Sequence, residues 1–339
     1  MFTVDHSFMK LVGNHITSIL LSRNHMNGGV CRITKRLDGK TVVITGANTG
    51  IGKETARDLI KRGARVVLAC RDRLRGEEAV QELCSEVGKP GLVALYKLDL
   101  ANISSIHTFV EEFISKEERL DILINNAGVM WCPYARTDDG FEMQIGVNHL
   151  GHFLLTNLLL DKMVASSPSR IINLTSIAHY DKRALLNFDD LMNENNYQPA
   201  IAYAQSKLAN VLFTKELARR LEANAVHPGV VRTELGRYMD ILKRPMVRYF
   251  LFPMLQPIIW LVTKSPTQGS QTSIYCAVAD ELVKTSGKYF SKFVCNFTVT
   301  LCVTVFPFSW TTNNYKCESR LPKKLSNSDG CLVLTIPGR

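Results

Sequence analysis

The sequence lacks the residue patterns that hold disulfide frameworks or metal ions. Its nine cysteines form no CxxC pair and show no regular spacing, which is typical of small buried hydrophobic residues in a reducing, intracellular compartment. The histidines are dispersed along the chain, and His149 and His152 fit packed helix positions better than ligand positions. We therefore predict neither a structural disulfide nor a metal site.

Uninterrupted apolar segments of membrane-spanning length are also missing. A helical span needs about 20 mainly apolar residues, whereas residues 8–21 are interrupted by Lys10 and Asn14. Residues 293–310 are apolar but contain Pro307 and several threonines. The sequence thus predicts no signal peptide and no good helical span, and its N-terminal segment fits at most a loosely attached amphipathic helix.

A clustered basic stripe is the third missing feature. The formal net charge is +10, but lysines and arginines are scattered and acidic residues lie between them. Nucleic-acid binding needs a concentrated basic patch, so we predict no nucleic-acid partner. A diffuse positive charge instead suits a phosphorylated cofactor or an anionic lipid surface.

What the chain does contain, between Leu37 and Phe290, is an alternation of short β-branched runs with longer helical patterns. This alternation is typical of βαβ units, and it predicts one α/β domain at 37–290 with a Rossmann-type doubly wound parallel sheet. Residues 1–36 form a predicted N-terminal extension, and the tail at 291–339 is predicted to be disordered or loosely membrane-associated. The predicted strands are 41–44, 65–70, 92–98, 122–124, 170–174, 225–226 and 287–290. The predicted helices are 50–62, one ending near 87, 141–164, one through 203–221 and one capped by Ser265.

A glycine-rich turn follows the first predicted strand. Gly46, Gly50 and Gly52 stand in a GxxxGxG spacing between that strand and a helix. Glycine lets the backbone approach a pyrophosphate closely, and the helix N-terminus attracts its negative charge. The turn therefore predicts a dinucleotide site.

The end of the second predicted strand bears on the choice of dinucleotide. An acidic residue there would bind a ribose 2′-hydroxyl, whereas an arginine would accept a 2′-phosphate. Arg71 follows Cys70 directly, which favours NADP(H), with NAD(H) as the alternative. Since Asp72 is adjacent, Arg71 could also be a solvated residue leading into a helix.

Tyr203 and Lys207 stand four residues apart in a helical pattern, so both side chains lie on one helix face. A phenol has an ordinary pKa of about 10 and is a poor acid-base catalyst at neutral pH. A neighbouring cation favours its phenolate and lowers that pKa. The pair therefore predicts a proton donor with a cationic support.

Taken in order, the glycine turn, the Asn125-Asn126-Ala127-Gly128 run and the Tyr203/Lys207 pair resemble the short-chain dehydrogenase/reductase family. Residues 170–179 and 227–235 are similar to the retinol dehydrogenase branch of that family. The resemblance implies that Asp99 contacts adenine, that the asparagine run braces the sheet beside the cofactor, and that residues after the sixth strand line the nicotinamide end. The implied cofactor-binding residues are Gly46, Asn48, Thr49, Gly50, Ile51, Gly52, Arg71, Asp99, Leu100, Asn125, Ala127, Gly128, Tyr203, Lys207, Pro228, Gly229 and Thr233.

Carbonyl reduction by hydride transfer needs a hydrogen-bond donor to the substrate oxygen, a proton source and a cationic support. By the resemblance, Ser176 is the donor, and Thr175 is the competing hydroxyl. Asn148 matches the helix asparagine that completes the family's proton relay through a water. The implied catalytic residues are Asn148, Ser176, Tyr203 and Lys207.

The retinol dehydrogenase resemblance also implies a lipophilic alcohol or aldehyde as substrate, retinoids among them. It implies an intracellular, membrane-associated location such as the endoplasmic reticulum. The apolar segments at 249–254 and 258–261 fit a lid or an interfacial surface, and they fit core packing equally well. The oligomeric state is left open by the sequence.

One segment departs from the family pattern. Between the predicted tyrosine helix and Ala225 the chain has only residues 221–224, without a glycine. We expect either an unwound last helical turn or a sixth strand reduced to a stub, and with it a catalytically impaired nucleotide-binding protein as the alternative function. A third reading is a membrane-surface interaction protein.

Overall fold

The computed structural model describes residues 29–186, 190–238, 256, 260, 263–291 and the backbone of 294–298. Most of the N-terminal extension lies outside these residues. So do the apolar segments at 249–254 and 258–261, apart from Trp260, and the tail beyond residue 298.

One eight-stranded sheet forms the centre of the described structure. Its strands are β1 (Thr41–Thr45), β2 (Arg65–Cys70), β3 (Val93–Lys97), β4 (Ile122–Asn125), β5 (Arg170–Leu174), β6 (Glu222–His227), β7 (Lys288–Ser291) and β8 (Val294–Thr298). Their spatial order is β3-β2-β1-β4-β5-β6-β7-β8; the first seven are parallel and β8 is antiparallel to β7. This is the predicted doubly wound arrangement, in which the strand order reverses between β1 and β4. The sheet continues past the predicted domain boundary at residue 290 into β8.

Six helices of the described residues cover the two faces of the sheet. They are α1 (Gly50–Lys61), α2 (Arg73–Val87), α3 (Ile103–Lys116), α4 (consecutive pieces Met143–Ile145, Gly146–Leu150 and Gly151–Ala165), α5 (Pro199–Leu217) and α6 (Pro266–Val278). Helices α1, α2 and α6 contribute to one apolar core, whereas α3, α4 and α5 contribute to the other.

Strand β1 shows why the strands are continuous apolar runs. Val42 and Ile44 belong to one core and Val43 to the other, and all three are fully buried. Successive strand side chains point to opposite faces, so a parallel strand covered on both faces needs apolar residues at every position. Burial of both faces of the sheet therefore explains why its strands are continuous β-branched runs in the sequence.

The structure confirms two predicted helix boundaries, and each of them has a recognisable cap. Gly88 ends α2 in a left-handed conformation with φ of 67°, which glycine adopts without steric cost. Ser265 caps α6 in a capping box with Gln268, and Pro266 occupies the first helical position.

Of the two outcomes expected for the short connection, the stub at the sixth strand is wrong, and the tyrosine helix ends about one turn before the predicted residue. Strand β6 is complete and pairs with β5 over five residues and with β7 over three. The reason is that α5 ends at Leu217 rather than near Leu221, which leaves four residues for the turn. Ala218 keeps a right-handed helical conformation, and the Leu221 amide still donates to the Leu217 carbonyl at 3.0 Å. The turn continues the helical geometry and therefore needs no glycine.

Candidate active site and cofactor cleft

A cleft of about 360 Å³ lies at the carboxyl ends of the parallel strands. Ligands of doubly wound sheets bind at this edge, beside the point where the strand order reverses. The predicted residues that line the cleft are Gly46, Asn48, Thr49, Gly50, Ile51, Arg71, Asp99, Leu100, Ala127, Gly128, Ser176, Tyr203, Lys207, Pro228, Gly229 and Thr233. Gly52, Asn125 and Asn148 do not line it.

The glycine turn brings backbone to the floor of the cleft. Gly46 and Gly50 have φ of 64° and 58°, a region that side chains disfavour. A Cβ at Gly50 would lie 3.1 Å from Thr233 Cγ2. Thr49 precedes α1 and makes no side-chain capping bond, so the first backbone amides of α1 remain available to an anion.

Gly52 has a packing role rather than a lining role. A Cβ at this position would lie 2.5 Å from Asn126 Nδ2 and 2.6 Å from the Gly46 carbonyl oxygen. The absence of a side chain therefore lets α1 pack directly against the glycine turn.

Asn125, the last residue of β4, and Asn126, which follows it, have different roles. Asn125 Nδ2 donates to Asn173 Oδ1 at 2.7 Å and to Thr156 Oγ1 at 3.0 Å, so this side chain ties β4 to β5 and α4. Asn126 lines the cleft and donates through Nδ2 to the Thr45 carbonyl at 2.8 Å. The sequence predicted Asn125 as a cofactor-binding residue. Asn126 was not predicted, although it is the neighbouring amide in the same motif.

Sequence reasoning missed a buried network behind the cleft. Thr45 Oγ1 accepts from the amides of Asn126 and Ala127 at 2.9 Å each, and it lies 2.8 Å from His152 Nε2. His152 Nδ1 lies 3.1 Å from the Asn148 carbonyl. Since a carbonyl only accepts, Nδ1 carries the ring proton, and the Thr45 hydroxyl donates to Nε2. His152 follows Asn148 by one helical turn, which was the available signal.

Asn148 lies in a π-helical turn, Gly146–Leu150, inside α4; such turns are frequent at functional sites. Its Oδ1 accepts from the Val129 amide at 2.8 Å, and its Nδ2 donates to the Val129 carbonyl and to Ser206 Oγ at 2.9 Å each. Its own carbonyl accepts from His152 and from Asn210 Nδ2. Asn148 thus fastens the loop after β4 to α5, the helix of Tyr203.

Tyr203 and Ser176 meet inside the cleft. Burial raises the pKa of Tyr203 to about 12, and the neighbouring Ser176 hydroxyl opposes that shift. Thr175, the competing hydroxyl, instead donates to the Lys207 carbonyl at 2.9 Å. Ser176 is therefore the hydroxyl beside the phenol.

Lys207 lies beneath the phenol on the same helix face. Its Nζ is 5.6 Å from the centroid of the Tyr203 ring and donates to the Leu174 carbonyl at 3.2 Å. Burial lowers the pKa of Lys207 to about 8, because the cation loses its hydration. The two residues lie on one helix face as predicted, but the pKa of the phenol is raised rather than lowered, because burial is the dominant influence on it.

The opposite end of the cleft is exposed and charged. Arg71 is exposed there and has no hydrogen-bond or ion-pair partner among the described residues. Asp72 caps α2 by accepting from the Arg75 amide. Arg75 and Glu234, both lining residues, form an ion pair at 2.5 Å that joins α2 to the segment after β6. No local sequence pattern indicates this ion pair, because its members are far apart along the chain.

Comparison with known proteins identifies relatives over most of the chain. The short chain dehydrogenase family profile matches residues 40–188. Human retinol dehydrogenase 13 is 51% identical over 83% of this chain and 85% of its own length. Mouse retinol dehydrogenase 12 is 52% identical over 79% of this chain and 83% of its own. A crystal structure of an uncharacterized protein from Mycobacterium paratuberculosis has a TM-score of 0.58 and 36% identity, over 77% of this chain and 84% of that one.

Proposed function

Because the chain belongs to the short-chain dehydrogenase/reductase family and is an oxidoreductase, we propose that it transfers a hydride between NADP(H) and a lipophilic, retinoid-like alcohol or aldehyde. The observation that carries this proposal is the buried Lys207 ammonium, which lies 5.6 Å from the centroid of the Tyr203 ring on the same helix face, with Ser176 lining the same cleft. A protein that only bound nucleotide would need no such arrangement.

The three side chains have distinct roles in the proposed reaction. The bound nicotinamide supplies the hydride chemistry. Ser176 donates a hydrogen bond to the carbonyl oxygen, where negative charge develops, and Tyr203 delivers the proton to that oxygen. Lys207 favours the phenolate that remains. Asn148 holds the loop after β4 against α5; its place in a proton relay through a water stays a prediction.

The cleft fits a dinucleotide phosphate. The glycine turn packs closely on the loop after β4, since a Cβ at Gly46 would lie 3.0 Å from Ala127 Cα, and the uncapped start of α1 offers amides to the pyrophosphate. The preference for NADP(H) rests on Arg71, an exposed residue that lines the cleft, as Arg75 does. Asp99 lines the same cleft, with Oδ1 accepting from the Ala101 amide at 2.9 Å.

Two observations support a lipophilic substrate. The relatives named above are retinol dehydrogenases. Exposed apolar side chains also follow three strands whose carboxyl ends form the cleft: Trp131 after β4, Ile177 after β5 and Val230 after β6. Polar substrates would gain little from such neighbours.

The decisive experiment is a spectrophotometric assay of the purified full chain. NADPH and then NADH are offered with all-trans-retinal, and acetaldehyde serves as the small polar control. We expect NADPH oxidation with retinal and much slower turnover with acetaldehyde, and Tyr203→Phe as the catalytic control should be silent with both. Absence of turnover with every aldehyde and both cofactors would contradict the proposal and favour the impaired nucleotide-binding protein, for which a complete β6 gives no support.

A membrane-surface contact at an intracellular membrane such as the endoplasmic reticulum is part of the same proposal. No helix of the described residues is long and apolar enough to cross a membrane. Flotation of the full chain on anionic liposomes tests the contact, with a chain lacking residues 299–339 as the comparison; that deletion spares β8. A full chain that stays in the dense fraction would contradict the membrane contact.

A further inference from the structure

We propose that His179 is a positioning residue that sets the Ser176 hydroxyl for carbonyl reduction. The inference rests on the proposed function and extends it to a residue outside the serine, tyrosine and lysine set. His179 does not line the cleft, so it acts only through Ser176.

The first step is the contact between the two residues. His179 Nδ1 lies 2.6 Å from the Ser176 carbonyl oxygen, and the His179 backbone amide donates to the same oxygen at 3.2 Å. A carbonyl only accepts, so Nδ1 must carry the ring proton. Burial lowers the pKa of His179, which keeps the imidazole neutral and preserves this tautomer. One side chain thus provides a second donor to the backbone of the residue that carries the hydroxyl.

The second step is the orientation of the hydroxyl itself. Residues Ile177–Tyr180 form one turn of 3₁₀ helix, and Ser176 caps it: its Oγ accepts from the Ala178 amide at 3.2 Å. Because this bond occupies only a lone pair, the single hydroxyl proton is left to donate to the substrate oxygen. The 3₁₀ turn keeps Oγ in this orientation only while the Ser176 carbonyl stays fixed. His179 fixes that carbonyl by donating a hydrogen bond to it.

The third step is the rigidity of the imidazole. Only 7% of His179 is exposed. Its ring centroid lies 4.0 Å from that of Tyr180 and 4.9 Å from that of Tyr289 on β7. Contacts of this kind restrict side-chain rotation and favour offset or tilted aromatic pairs. His179 therefore connects the 3₁₀ turn that follows Ser176 to strand β7.

Two substitutions separate the hydrogen bond from the packing. His179→Phe keeps an aromatic ring between the tyrosines but removes the Nδ1 donor. His179→Asn keeps an N–H donor bonded directly to Cγ, as Nδ1 is in histidine, but loses the aromatic ring. We expect His179→Phe to lower kcat about tenfold, the size of one lost hydrogen bond of about 1.4 kcal/mol. His179→Asn should retain at least about a third of wild-type kcat, and both variants should bind NADPH with the wild-type Kd.

A double-mutant cycle with Ser176→Ala distinguishes positioning of the hydroxyl from a purely structural role. The rate is measured by single-turnover kinetics with retinal. If His179 acts through the Ser176 hydroxyl, adding His179→Phe to Ser176→Ala should change the rate by less than about twofold. His179→Leu serves as a second donor-free variant if His179→Phe does not fold, as judged by its melting temperature.

Two outcomes would overturn the positioning role: wild-type kcat in both donor-free variants, or a further tenfold loss in the Ser176→Ala background. An inactive wild-type protein would instead refute the proposed function.

Discussion

The two ends of the cleft differ in burial and in charge. At the catalytic end, Tyr203 and Lys207 are 5% and 4% exposed, and Lys207 Nζ donates to the Leu174 carbonyl. At the mouth, Arg75 and Glu234 are 45% and 47% exposed and form an ion pair in contact with solvent. The first region is fixed by hydrogen bonds to the fold, whereas the second depends on charge.

Burial decides what each end can contribute. Electrostatic interactions strengthen where water is excluded, so a displaced proton donor at the catalytic end has a large effect on rate. Exposed charges are screened by solvent and salt, and single pairs contribute about 0 to 1 kcal/mol. We therefore expect changes at the catalytic end to alter turnover by orders of magnitude and changes at the mouth to alter cofactor selection by smaller factors.

The largest expected effect comes from Tyr203→Phe. Removing only the phenol hydroxyl should lower kcat by about 10² to 10⁴, the usual contribution of one acid-base catalyst. NADPH affinity, measured by quenching of protein fluorescence, should stay within about twofold of wild type. A variant that keeps more than about a tenth of wild-type kcat would show that the proton comes from elsewhere.

Acid should lower the stability of the fold through His152, which belongs to the buried hydrogen-bond network behind the catalytic end of the cleft. Burial lowers the pKa of His152 to about 3, whereas an unfolded histidine has a pKa of about 6.5. The unfolded state therefore binds this proton first: the stability that His152 contributes is complete above pH 6.5 and is lost as the pH falls toward 3. The loss amounts to about 1.4 kcal/mol per pH unit in the free energy of unfolding.

Urea unfolding at pH 7, 6 and 5 measures this slope. His152→Gln should lower the stability at pH 7 but flatten the decline below pH 6.5. His107→Gln, on a partly buried position of α3, controls for the loss of one imidazole. Equal slopes in wild type and His152→Gln would mean that this histidine is not the group that titrates.

The contrast between the ends also explains how far the sequence could predict the structure. The glycine turn and the Tyr203/Lys207 pair were found because their function depends on local spacing, and both lie in the cleft. The strands were found because burial on both faces demands continuous apolar residues.

The remaining features arise from contacts between distant segments. The bond from Thr45 to His152 and the ion pair from Arg75 to Glu234 join residues that no local pattern connects. The predicted end of α5 near Leu221 is wrong because a helical turn without glycine has the same sequence pattern as further helix. A glycine-containing insertion after Glu222 would fall inside β6, and we expect it to disrupt the register with β5.

At the mouth, the larger effect should come from Arg71→Asp. A carboxylate opposite the 2′-phosphate replaces an attraction with a repulsion, so the ratio of the NADPH and NADH dissociation constants should shift at least about tenfold toward NADH. Arg73→Asp is the matched control: it makes the same charge change on the same side of the molecule, but Arg73 does not line the cleft. A ratio that moves equally in both variants would reduce Arg71 to a general contribution of surface charge.

The smallest expected effect is that of Glu234→Gln, which tests whether the ion pair at the mouth competes with the cofactor. Glu234 holds the Arg75 guanidinium in the cleft that also contains Arg71. Removing the carboxylate frees Arg75 and removes a negative charge near the 2′-phosphate, so NADPH should bind about two- to fivefold more tightly, within the range of an exposed pair.

NADH lacks the phosphate and should gain less, and the NADPH gain should shrink in 0.5 M salt because the charges are screened. Glu77→Gln provides the control, since Glu77 pairs with Arg73 on the same helix outside the cleft. If Glu234→Gln weakens NADPH binding instead, the ion pair orders the cleft for the cofactor rather than competing with it, and the mouth then resembles the catalytic end in being organised before ligand arrives.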